Sequence, residues 1–63
     1  MKIKLYFNTV QELYGYHLLN DRETLLVTSP GLYESKPYVL REARRLARAI
    51  EKNTGKVDIV EEA

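Results

Sequence analysis

Between residues 39 and 50 the apolar side chains Val39, Leu40, Ala43, Leu46, Ala47 and Ile50 recur at steps of three and four. Residues so spaced share one side of a helix, and a helix with a single apolar stripe must bury it against another element. Ser35 is placed to cap the helix, and Lys36 and Pro37 suit its first turn, where a missing N–H costs little. Gly55, after Asn53-Thr54, stands where a helix stops. The stripe predicts about four helical turns. No other segment has that period, so the stripe needs a sheet for its partner.

The rest of the chain supplies one. In residues 2–7, Ile3, Leu5 and Phe7 alternate with Lys2, Lys4 and Tyr6, the period of a strand with one buried side. Asn8-Thr9 then suits a turn. Residues 14–19 place Tyr14, Tyr16 and Leu18 on one face and Gly15, His17 and Leu19 on the other. Two tyrosines in so short a run favour a strand. Residues 20–23 form a polar turn. Residues 24–28 form an apolar third strand, ended by Ser29-Pro30-Gly31. Residues 56–61, with Val57 and Ile59 alternating around Asp58, form a short last strand. The expected fold is α+β in the order β-β-β-α-β: an antiparallel three-stranded meander covered by one helix, plus a terminal strand. It is a single domain over residues 1–63, and turns are expected to account for Gly15, Gly31 and Gly55.

Size limits what such a domain can do. A chain of 63 residues buries only about 60% of the surface it exposes when unfolded. With no Cys, disulfides, thiolate zinc sites and cysteine nucleophiles are excluded. Packing and association remain as sources of stability. No apolar stretch approaches a membrane span. No secretory h-region follows Met1, so a cytoplasmic protein is expected. The net charge of +1 argues for no particular polyanionic partner.

The middle of the chain carries a resemblance. Tyr16-His17-Leu18, then Leu25-Leu26-Val27-Thr28-Ser29, then Tyr33-Glu34-Ser35-Lys36 resemble the repeat of the YegP-like family of small uncharacterised proteins. That repeat has an aromatic-basic-Leu strand, an apolar pair leading to Ser, and a Tyr-x-Ser-Lys start to a helix. The likeness spans residues 14–60. Arg22-Glu23 stand where the family usually has an Asn-Gly turn, and Leu32 stands where Gly usually precedes the Tyr. The helix here is also longer. The resemblance implies β3-α-β units that share one sheet in pairs and exchange their C-terminal strands. A chain with one such unit is then a homodimer, with Val57, Ile59 and Val60 at the interface. The family has no established activity or catalytic residues to carry over.

Two basic constellations compete with plain solvent exposure. Residues 36–52 hold six Lys and Arg against two Glu, a local charge of +4. On the helix face away from the stripe, Arg41, Arg44, Arg45, Arg48 and Lys52 suit either phosphate contact or ordinary solvation. Lys4, Tyr6 and His17 share the sheet face away from the helix. Aromatics beside cations there stack bases in some single-strand binders, though Tyr also fits half-buried strand surfaces. His17 is the only His, without partners at ligand spacing, so no metal or cofactor is expected. Gly-rich phosphate loops, Ser elbows and two-His zinc motifs are missing, so no enzyme, membrane contact or small-molecule ligand is expected. The favoured expectation is a non-catalytic homodimeric interaction module. The alternative is a nucleic-acid-binding module using either basic surface; an apolar or mixed sheet face would favour the former.

Overall fold

The computed structural model describes residues 1–29 and 32–61. Three strands come first: β1 (Lys2–Asn8), β2 (Leu13–Leu19) and β3 (Leu25–Thr28). Then follow a helix, α1 (Lys36–Thr54), and a last strand, β4 (Asp58–Glu61). The fold is α+β, in the order expected. The sheet has four strands in the order β3-β2-β1-β4. β1 pairs antiparallel with β2 and β2 with β3, while β4 lies parallel to β1. The terminal strand therefore lies in the sheet of its own chain. The proposed turn at Pro30-Gly31, and Glu62, fall outside the described residues.

Both hairpins turn on an Asn. Asn8 Oδ1 accepts from the N–H groups of Val10 and Gln11, each at 3.0 Å. Asn20 Oδ1 accepts from those of Arg22 and Thr24, each at 2.9 Å. A short side-chain acceptor that satisfies the turn's own amides makes Asn a turn former. Each turn closes on a Glu in the left-handed region, Glu12 at φ 56° and Glu23 at φ 62°. That region costs a side-chain-bearing residue roughly 1–2 kcal/mol.

Ser35 caps α1 as expected, its Oγ accepting from Tyr38 N at 3.4 Å. At the other end Gly55 has φ 86°, which a residue with a Cβ rarely adopts. The buried centre of the helix is Val39, Ala43 and Ala47. Leu40, Leu46 and Ile50 only flank the core, half-buried. Leu46 and Ile50 thus face inward, as the stripe predicts, but at the margin of the core and not at its centre. Two alanines at i and i+4 let the helix backbone approach the sheet closely, and the bulkier residues are displaced to the sides. Opposite them lie Ile3, Leu5, Tyr16 and Leu18, closed at one end by Val57. Ile3 and Val39 have no exposed surface at all.

The helix crosses β1, β2 and β4 and does not touch β3. All four β3 residues are exposed as a result. Leu25, Leu26 and Val27 keep 55%, 46% and 48% of their surface in water. The apolar third strand is thus a bare sheet edge. Phe7, expected to point into the core, is also exposed; it lies near the end of β1 and packs on Tyr14 at 4.9 Å. No helix is long and apolar enough to cross a membrane among the described residues.

Ile3→Ala should destabilise the protein by about 2–5 kcal/mol, the range for a sealed large-to-small change. Leu46→Ala should cost clearly less. Urea midpoints of the two variants decide this, and equal shifts would show that the Val39-Ala43-Ala47 seam is not the centre of the core.

Candidate functional site

Three surfaces carry chemistry-bearing side chains. The first is the sheet face away from the helix. Strand register puts Lys4 beside His17 and Val60, Tyr6 beside Gly15, and Lys2 beside Asp58. Lys4, Tyr6 and His17 come together here as their alternation predicts. The rings of Tyr6 and His17 stack, with centroids 4.5 Å apart and planes within 12°. Tyr6 lies flat across Gly15, where a Cβ would overlap its ring and hydroxyl. Gly15 is therefore no turn residue; it sits inside β2 because the Tyr6 ring occupies the space of its side chain. His17 Nδ1 is buried without a hydrogen-bond partner among the described residues.

The charge on this face is largely answered. Lys2 Nζ pairs with Glu23, whose carboxyl is held below the ordinary carboxylate range chiefly by the hydrogen bond from Lys2 and by its charge. Asp21, paired to the Met1 ammonium at 2.6 Å, is lowered in the same way. Lys4 has no ion pair among the described residues, and Asp58 and Val60 complete the surface on the β4 side. The face is mixed in character rather than uniformly basic.

The second surface is a groove between α1 and β4, about 570 Å³ in volume. Arg41, Arg44 and Arg48 stand along one wall, above a floor of Ala47, Val57 and Ile59. Arg45 is not among them. It turns to the other side of the helix, 3.7 Å from Glu42. The four arginines expected on one face are thus divided, because a step of one residue rotates a helical side chain by about 100°. Arg41 also lies over the Tyr38 ring, 4.7 Å from its centroid. Val57 is buried in the core of its own chain, and Ile59 packs against that core. Only Val60, on the opposite sheet face, is as exposed as a free interface residue would be.

The third surface, at the start of the helix, is a hollow of about 500 Å³ lined by Leu32, Tyr33, Glu34, Ser35 and Tyr38. Tyr33 stacks on Tyr16 at 6.4 Å and leans on Tyr38 at 5.3 Å. Burial, more than its neighbours Tyr16 and Glu42, raises the Tyr33 hydroxyl above its ordinary pKa. Period-two and helical patterns do not bring Tyr33 and Tyr38 together, because Tyr33 lies outside both. It joins β2 only through an isolated bridge, exchanging backbone bonds with Tyr14 at 2.7 and 2.8 Å. No group of three or more His, Cys, Asp or Glu able to hold a metal occurs among the described residues.

Searches against protein-family models, curated proteins and solved structures find no match to this chain.

Two outcomes follow from the open face. Gly15→Val should displace Tyr6, at about 1–3 kcal/mol for overpacking. The His17 ring-proton resonances should then lose the shift that a stacked tyrosine imposes; unchanged resonances would mean that the rings do not stack. The second outcome concerns pH. A folded pKa below the ordinary value gives stability that is present above the ordinary value and is lost as pH falls through the folded one. Stability should therefore drop as pH falls through and below the ordinary carboxylate range, and Glu23→Gln should flatten part of that drop in denaturant titrations.

Proposed function

We propose that this chain is a small non-catalytic interaction module that works as a homodimer, in keeping with its resemblance to the YegP-like family. One observation carries the reading: β3 is an edge strand whose Leu25, Leu26 and Val27 are each about half exposed. It bears no charged residue, and no helix covers it. Edge strands of this kind invite pairing, and soluble proteins blunt them with charges, Pro or covering elements. Antiparallel pairing of two β3 strands about a two-fold axis is self-complementary and makes one continuous sheet.

Exchange of β4 is the other route to two chains, with Val57, Ile59 and Val60 passing to the partner. It would replace the β1–β4 contacts by identical ones and leave Leu25, Leu26 and Val27 in water. Pairing at β3 accounts for the exposed surface, so it is the arrangement proposed here. The mixed sheet face favours a protein partner over nucleic acid: Lys2 is neutralised, and Tyr6 and His17 stack on each other.

Sedimentation of the full chain at micromolar concentration tests the reading. The expected mass is twice the chain mass of 7.4 kDa. Val27→Lys, which sets two like charges near the two-fold axis, should return the protein to a monomer with unchanged far-ultraviolet circular dichroism. A parent that stays near 7.4 kDa at every concentration overturns the homodimer. A dimer indifferent to Val27→Lys moves the interface away from β3.

A further inference from the structure

The opposite edge of the sheet differs in kind. Among the described residues, β4 has β1 on one side and no strand on the other. Asp58 N donates to Met1 O at 3.2 Å, so the backbone groups of Asp58 and Val60 face β1 and those of Ile59 face outward. The Val57 N–H, also on the outward side, is taken by the Glu51 carboxylate at 3.4 Å. The Ile59 N–H and C=O have no such partner among the described residues. The groove beside this edge is lined by Arg41, Arg44 and Arg48 against a single carboxylate, Glu51, which the Val57 N–H already engages. None of the three makes an ion pair among the described residues, whereas Lys36 at the far end is held by Glu61 at 2.8 Å.

From this juxtaposition we infer that the β4 edge and the arginine-walled groove together bind an acidic extended peptide segment, which adds to the sheet as a fifth strand. The backbone of the segment bonds to Ile59. Its alternate side chains turn toward the helix, where carboxylates meet Arg44 and Arg48, and the apolar side chains between them turn to the opposite sheet face, the side of Val60. Strand addition with pockets for alternate side chains is an established mode of peptide recognition. Arg suits the task because its planar fork matches a carboxylate.

Two other occupants fit less well. A second copy of this chain, added antiparallel at β4, would bring its own helix to the same side of the sheet. Three arginines would then face three more, and like charges set together suppress the wrong partner. A single-stranded nucleic acid needs aromatic faces for its bases. The floor here is aliphatic, and the ring of Tyr38 is covered by Arg41.

The inference does not rest on the homodimer, since β4 is free whether or not two β3 strands pair. The probe is a short blocked peptide alternating Glu and Val, titrated against the full chain and followed by amide resonances and hydrogen exchange. Saturable binding is expected, with slower exchange at the Ile59 N–H and affinity that falls with salt. The same peptide with Lys for Glu should not bind. Arg44→Glu with Arg48→Glu should weaken the Glu-Val peptide by roughly tenfold or more, because close charge pairs at an interface are worth at least that much. Three results would each overturn the proposal: no saturable binding, binding without protection of Ile59, or tighter binding of oligothymidylate that displaces the peptide. Circular dichroism of the double variant separates lost binding from lost fold.

Discussion

One α-helix is about 10 Å across with its side chains, and sheet strands lie about 4.8 Å apart. A single helix therefore cannot cover four strands, and where it sits decides which surface stays wet. Here it is drawn over β1 and β2 by the Val39-Ala43-Ala47 seam, which meets Ile3, Leu5, Tyr16 and Leu18. Its C-terminal end delivers the chain to the β1 side, where Val57 closes the core and β4 pairs with β1. Leu25, Leu26 and Val27 are left outside the shadow of the helix. The bare edge at β3 and the groove at β4 thus share one cause.

The elements themselves were legible because each has a clean period. Alternation marks β1 and β2, the three-and-four stripe marks α1, and Ser35 and Gly55 mark its ends. The joints were less so. Glu23 occupies the turn position where the family resemblance expects Gly, yet it adopts the left-handed conformation, with φ 62°. Asn20 satisfies the turn amides, and Lys2 holds the Glu23 carboxylate. These local bonds offset a conformational cost that Gly would avoid. The β1–β2 turn repeats the device with Asn8 and Glu12, so neither hairpin needs a glycine.

What could not be read from the chain are facts about neighbours. Gly15 looks like a turn residue by type, and only the path of the Tyr6 ring explains its place inside a strand. The apolar run of β3 reads the same whether a strand is central or an edge, because strand period says nothing of order in the sheet. For the candidate site, the pattern correctly joined Lys4, Tyr6 and His17, whose common face follows from alternation across one strand pair. It grouped four arginines that the helix divides into three and one. The groove beneath Arg41, Arg44 and Arg48 was hidden for the same reason as β3: it exists only once β4 has taken its place beside β1.

The two sheet edges now read as opposites in charge as well as in covering. A net charge of +1 conceals an uncharged β3 and a β4 whose Asp58 and Glu61 are matched by Lys56 and Lys36, beside a groove lined by three arginines. An uncharged apolar edge tolerates a copy of itself, since no like charges meet at the two-fold axis. A cationic edge repels its copy and accepts a partner of the other sign. If both edges were apolar, such a module would extend without limit as an open-ended sheet, because each added chain would expose a fresh edge. In the proposed arrangement, arginines at one end would stop that growth without covering the strand, and would leave the backbone of Ile59 available to a segment that can neutralise them. Under the proposed binding mode, protection from self-assembly and selection of an acidic strand would come from the same three side chains.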